Sequence, residues 1–180
     1  MECSRQRRHP LQTNTRLNKI IMAIYFSGKS ICPICHEVLE TDQKTIGFPA
    51  FVANPSDPLI FFNDGAFHQK CLLDHPSGLK AIRLLDSLFF KTRPENRLCD
   101  IGKNIIKDPD DHIFIPLLTS NEQEGLYKFN FMNIDKNNIK NWEQRDMFIE
   151  LAKSFKSDGK WVKGDYLTDL IAKIENATIS

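Results

Sequence analysis

Four residues have the types and the spacing to close a metal site. Cys32-Pro33-Ile34-Cys35 is a C-x2-C pair. Two thiolates at this spacing point at one ion from a tight turn, with backbone amides supporting the sulfurs. His68-Gln69-Lys70-Cys71 supplies a second pair. If a helix starts at His68, residues i and i+3 share a face, and the imidazole and thiolate converge. Four protein ligands leave zinc no open position, whereas catalytic zinc keeps one for water or substrate. The expected cofactor is therefore one structural Zn2+ ion.

The rival chemistry for Cys32-Pro33-Ile34-Cys35 is redox. A strand, a short loop and C-P-x-C opening a helix resemble glutaredoxin, and Phe48-Pro49-Ala50-Phe51 offers a counterpart to that family's cis-proline segment. Too little chain separates Cys35 from Pro49 for the intervening elements, and this reading leaves His68 and Cys71 unexplained. His36 and His75 adjoin ligands and stand as possible substitutes, with a solvated role as the simpler reading. The run Asp108-Pro109-Asp110-Asp111 lacks the Gly-and-Glu pattern of a calcium loop. Arg5, Arg7, Arg8 and Arg16 are candidate phosphate contacts, set against the commoner solvated tail.

The ligand pairs, with two strands and a turn between them, resemble the treble-clef zinc fingers that include halves of RING and LIM domains. The resemblance rests on Cys32-Pro33-Ile34-Cys35 and on Ala66-Phe67-His68-Gln69-Lys70-Cys71-Leu72, and covers about residues 30–75. It implies a single-site zinc module. RING and LIM domains carry two sites, but here only Cys3 and Cys99 remain as cysteines. Each stands alone, so a second site and ubiquitin-ligase activity are not expected.

The elements that must position these residues read as follows. Residues 1–19 form a flexible basic arm, and apolar patterning begins near Met22, a second candidate start. Residues 20–92 form the zinc-binding module with an appended helix. Ile21–Phe26, Thr45–Val52 and Pro58–Phe62 read as strands, and Asn63-Asp64-Gly65 as a tight turn. A short helix from His68 ends at Pro76, and Ser77 caps a second helix with Leu79, Ile82, Leu85 and Phe89 on one face. Residues 93–111 read as a linker or long loop. Residues 112–180 form a second unit. There Ile113–Ile115 and Tyr127–Phe131 read as a hairpin closed by Ser120–Gly125. A helix follows with Phe148, Leu151, Ala152 and Phe155, ended by Asp158-Gly159. Asp165 caps a last helix with Tyr166, Leu170, Ile171 and Ile174. The fold class is α+β: a treble-clef-like zinc module followed by a small two-strand, two-helix unit. No internal repeat is legible.

Composition narrows the function classes. The chain of 180 residues carries 13 Phe and a net charge of +1, which argue for a real core and against a global nucleic-acid signature. The apolar run after the basic arm is too short to span a bilayer and reads better as a strand than as a signal peptide. Reduced thiols then suit the cytoplasm. There is no nucleophile elbow, no H-E-x-x-H, no phosphate-binding glycine loop, and no His at residues 45–65 for an HNH nuclease. Enzyme activity is not supported. The expected function is a zinc-stabilised adaptor that binds another protein, not a membrane. Nucleic-acid binding through the basic arm is the alternative, and a glutaredoxin-like redox role the second alternative. Phe48, Phe51, Phe61, Phe62 and Phe90 lie outside clear core periodicity and are candidate interface residues.

Overall fold

The computed structural model describes residues 25–177. It is a mixed α/β chain with two small two-stranded sheets. Strand β1 (Thr45–Gly47) pairs antiparallel with β2 (Ala66–His68), with Thr45 opposite His68. Helix α1 (Gln69–Asp74) starts directly after β2, and α2 (Gly78–Thr92) follows. In the second half, β3 (His112–Phe114) pairs antiparallel with β4 (Asn133–Asp135), with His112 opposite Asp135. Helices α3 (Arg145–Ser157) and α4 (Tyr166–Asn176) follow.

Two expected strands, over Pro58–Phe62 and Tyr127–Phe131, are not strands. Ile21–Ile24 lie outside the described residues, and Tyr25 and Phe26 have no strand partner. Pro58–Phe62 is a 3-10 helix: Pro58 occupies its first turn, and Asp57 Oδ1 accepts from Leu59 N–H at 2.9 Å. Its buried residues, Leu59 and Phe62, are three apart, which fits that helix and not an alternating strand. Tyr127–Phe129 is also a 3-10 helix, here without a side-chain cap, so the strand expected over Tyr127–Phe131 is absent. Pro49 stops β1 early, and Val52 instead makes a lone parallel bridge to Leu117.

Helix α2 buries Ala81, Leu84 and Leu85, while Leu79 is exposed. The face is rotated from the expected one because α2 packs closely on α1. A Cβ at Gly78 would lie only 1.7 Å from the Leu72 carbonyl oxygen. Ser77 precedes α2 without a side-chain cap; its N–H donates to His75 Nδ1 at 3.1 Å. Asp165 likewise stands before α4 without a side-chain cap, and Tyr166 faces solvent.

The two halves repeat one plan at a constant offset, contrary to the expectation of no repeat. β3 follows β1 by 67 positions, β4 follows β2 by 67, and α3 begins 67 after α2. The helix α1 is matched by a 3-10 helix over Lys136–Asn141. Among the described residues, four non-glycine residues have positive φ, and they form two such pairs: His36 with Lys103, and Asp64 with Phe131. Side-chain bonds repeat as well. Asn63 Oδ1 accepts from the amides of Phe51 and Val52, both at 3.1 Å. Asn130 Oδ1 accepts from those of Leu118 and Thr119 at 2.8 and 3.4 Å. The repeat escapes sequence reading because few residue types are kept.

Residues 93–111 are therefore not bare linker. Leu98 bridges Ile105, Cys99 and Ile106 are buried, and the segment opens the second unit as residues 31–38 open the first. The units also share a boundary. Leu117 and Phe131 pack into the first core, and buried Asp57 accepts from Ser120 N–H at 2.6 Å.

Candidate metal centre

The first knuckle is a short antiparallel loop. Ile31 bridges Val38, Cys32 N–H donates to the Glu37 carbonyl at 2.9 Å, and His36 N–H donates to the Cys32 carbonyl at 2.8 Å. His36 turns the chain at φ +62°, a conformation uncommon outside glycine. This puts both sulfurs of the C-x2-C pair on the inside of one turn. Strand β2 ends at His68 and α1 starts at Gln69, so His68 lies at the strand–helix junction and Cys71 in the first turn of α1.

Cys32, Cys35, His68 and Cys71 converge, with their donor atoms all within 4.8 Å of one another. His68 Nε2 lies 3.2 Å from the Val38 carbonyl oxygen. A carbonyl only accepts, so Nε2 carries the proton and Nδ1 presents a bare lone pair. That nitrogen faces Cys35 Sγ at 3.3 Å and Cys71 Sγ at 3.8 Å. A tetrahedral ion with sulfur at ~2.3 Å and nitrogen at ~2.0 Å sets neighbouring donors roughly 3.5–3.8 Å apart. The geometry fits one ion, and the tie from histidine to backbone carbonyl is the usual outer support of such a ligand.

Electrostatics point the same way. Burial raises the Cys32 thiol, but amide hydrogen bonds from Cys35, His68 and Ile34 outweigh it and bring it down to about 7. Burial, the Cys35 thiol and the charges of Cys32 and Cys35 push Cys71 up to about 11. One thiolate forms easily, and like charge then resists the next. A bound cation removes that conflict and holds all three as thiolates.

Compared with known proteins, the chain matches no family model, no curated protein and no solved structure. The donor set alone thus defines the site. It is a Cys3His group able to hold one metal ion.

Neither His36 nor His75 joins the group. His36 is exposed in the turn, while His75 stacks on Phe61 with ring centroids 5.7 Å apart. The helix that a glutaredoxin-like site needs after its second cysteine is absent, since Val38 pairs back to Ile31. The acidic run forms a 3-10 turn with Asp108 Oδ1 accepting from Asp110 N–H at 2.9 Å, and gathers no ligand group among the described residues. Arg5, Arg7, Arg8, Arg16 and Cys3 lie outside the described residues. Sequence reading missed Val38, whose backbone carbonyl fixes the histidine; a main-chain acceptor leaves no residue-type signal.

Phe48, Phe51 and Phe62 are core residues, whereas Phe61 and Phe90 are exposed. A cavity of about 580 Å³ opens beside the centre, lined by Cys35, Cys71, Glu37, Lys44, Leu73 and Asp74. No helix among the described residues is long and apolar enough to cross a membrane.

Proposed function

We propose that Cys32, Cys35, His68 and Cys71 hold one structural Zn2+ ion in a treble-clef-like finger, and that the chain is a cytoplasmic adaptor that binds another protein. The closed donor set carries the reading. Four side chains supply the donors that a tetrahedral ion needs, and the Val38 carbonyl favours the ligating tautomer of His68. No position is left for water or substrate, so the metal's role is to fold the module. Three unpaired thiols among its ligands suit a reducing compartment. Exposed Phe61 and Phe90 offer aromatic anchors of the kind that dominate protein interfaces.

Two measurements test this. Elemental analysis of protein purified without added metal should give close to one zinc per chain. Affinity capture from the native host should recover a protein partner with the wild type and lose it with Cys71→Ser. Binding to DNA or RNA that weakens steeply with salt and vanishes on deletion of residues 1–19, with no protein recovered, would install the nucleic-acid reading instead. Metal-free protein with a Cys32–Cys35 disulfide would install the redox one.

A further inference from the structure

The second unit contains a knuckle with the same bonds as the first. Cys99 N–H donates to the Asn104 carbonyl at 2.8 Å, and Lys103 N–H donates to the Cys99 carbonyl at 3.0 Å. Lys103 has φ +57°, against +62° for His36. The offset of 67 carries Cys32, Cys35, His68 and Cys71 onto Cys99, Gly102, Asp135 and Asn138. Only the first of these keeps its metal-binding side chain.

What surrounds that side chain is informative. Cys99 is buried, and its sulfur accepts from the amides of Gly102 and Asp135, both at 3.3 Å. These are the counterparts of Cys35 and His68, whose amides serve Cys32. The amide cradle of a ligating thiolate is thus retained. The side chain of Asn138, at the fourth position, then reaches inward. Its Nδ2 donates to Cys99 Sγ at 3.7 Å and to Asn104 Oδ1 at 2.8 Å. Asn104 Nδ2 in turn donates to Asp135 Oδ2 at 2.8 Å. A Cβ at Gly102 would lie 2.3 Å from Asn138 Nδ2. The amide at position four occupies the space that a side chain at position two needs, which is what convergence on one point requires.

We infer that the chain is a tandem pair of one metal-binding module, and that in the second copy a knot of Cys99, Asn104, Asp135 and Asn138 stands in place of the ion. The amide hydrogens of Asn138 supply to the Cys99 sulfur the positive end that a cation would present, and they also tie in Asn104 Oδ1. Gly102 is small because Asn138 fills its space. The inference rests on the metal reading of the first module only for the identity of the four positions.

The test restores the lost ligands. Full-length Gly102→Cys/Asp135→His/Asn138→Cys is titrated with Co2+ beside the wild type, reading thiolate-to-metal absorption. The triple variant should bind one more equivalent than the wild type. Equal stoichiometry in a folded variant overturns the inference. Wild type that binds no ion sinks the metal reading of the first module, and the difference between the two proteins still decides this one. Should the variant fail to fold, Asn138→Ala decides by amide hydrogen exchange. Loss of the knot should speed exchange at Gly102 and Asp135 roughly tenfold, and unchanged rates there overturn the proposal.

Discussion

The two halves share a plan but not a means of holding it. The first is built around the Cys3His group and borrows Leu117 and Phe131 from its neighbour to complete its core. The second has a hydrogen-bonded knot at the same place and adds α4, which has no counterpart in the first among the described residues. Leu167, Leu170, Ile171 and Ile174 of α4 are buried, as are Trp142 and Trp161. Burying side chains of that size contributes roughly 1.5–3 kcal/mol each, so the four from α4 give on the order of 10 kcal/mol before the entropy of ordering the helix. Structural zinc brings a comparable apparent free energy, about 10–16 kcal/mol. With the proposed zinc in place, one module is closed by an ion and the other by an extra apolar layer.

The largest expected effect breaks the pair apart. Cys32→Ser, Cys35→Ser, His68→Ala and Cys71→Ser should each unfold the first module, as should a chelator. The metal's contribution is comparable to a domain's whole stability of about 5–15 kcal/mol. The second should keep its helices. Calorimetry with and without chelator should show one transition lost and one retained. A chelated protein that melts as one unchanged unit means that the ion is not structural.

Phe62 and Phe129 occupy matching positions, and both are buried. Truncation of either to Ala should cost about 3–5 kcal/mol in metal-loaded protein. The two should differ once metal is removed. Phe129→Ala keeps its cost, while that of Phe62→Ala disappears because its module is already unfolded. Denaturant melts of both variants in chelator check this.

Asn63 and Asn130 offer a smaller and symmetric effect. Each accepts two backbone amides, and Nδ2 donates back at 2.9 Å to the Val52 carbonyl and at 2.7 Å to that of Thr119. Asn63→Ala and Asn130→Ala should each cost about 1–3 kcal/mol by stranding those groups. A large cost at one and none at the other, measured by chemical denaturation, would mean that the repeated bonds do different work.

The Cys3His group was legible because ligand chemistry restricts residue type, and the short Cys and His spacings survive in the chain. The helices α3 and α4 were legible because apolar periodicity is long enough to read. The repeat was not, because it is carried by backbone. The left-handed turns fall on His36 and Lys103, and on Asp64 and Phe131, and of these only Asp64 stands in a turn that residue types announce, Asn63-Asp64-Gly65. Identical pairs at the offset, among them Cys32 and Cys99, Pro49 and Pro116, Phe62 and Phe129, and Asn63 and Asn130, are scattered among mostly different residues and do not align by eye. Short apolar runs such as Pro58–Phe62 read equally as strand or as 3-10 helix. The cap by Asp57 decides between them, and that is a side-chain contact.

The smallest expected effect is a difference in acid response. His112 opens β3 where the first module has Thr45. Burial holds His112 below its ordinary value and outweighs the bond between its Nε2 and Asn133 Oδ1, with Arg97 and Lys173 pushing the same way. The folded protein thus takes up this proton less readily than the unfolded chain. Above the ordinary value of about 6.5 neither state holds the proton, and His112 leaves stability unchanged. Below it the unfolded chain binds more protons, so stability falls with pH until the folded histidine also titrates. Asp135 is also held low: its bonds from Asn104 and Asn137 outweigh burial, and their contribution is lost only in the more acidic carboxylate range. Chelated protein isolates the second module for the measurement. Its stability should drop between pH 7.5 and 5.5, and His112→Gln should flatten the drop. Gln supplies an amide that can bond Asn133 but cannot titrate. If wild type and variant lose stability in parallel over that interval, His112 is not the source, and the acid response of the second module lies elsewhere in its core.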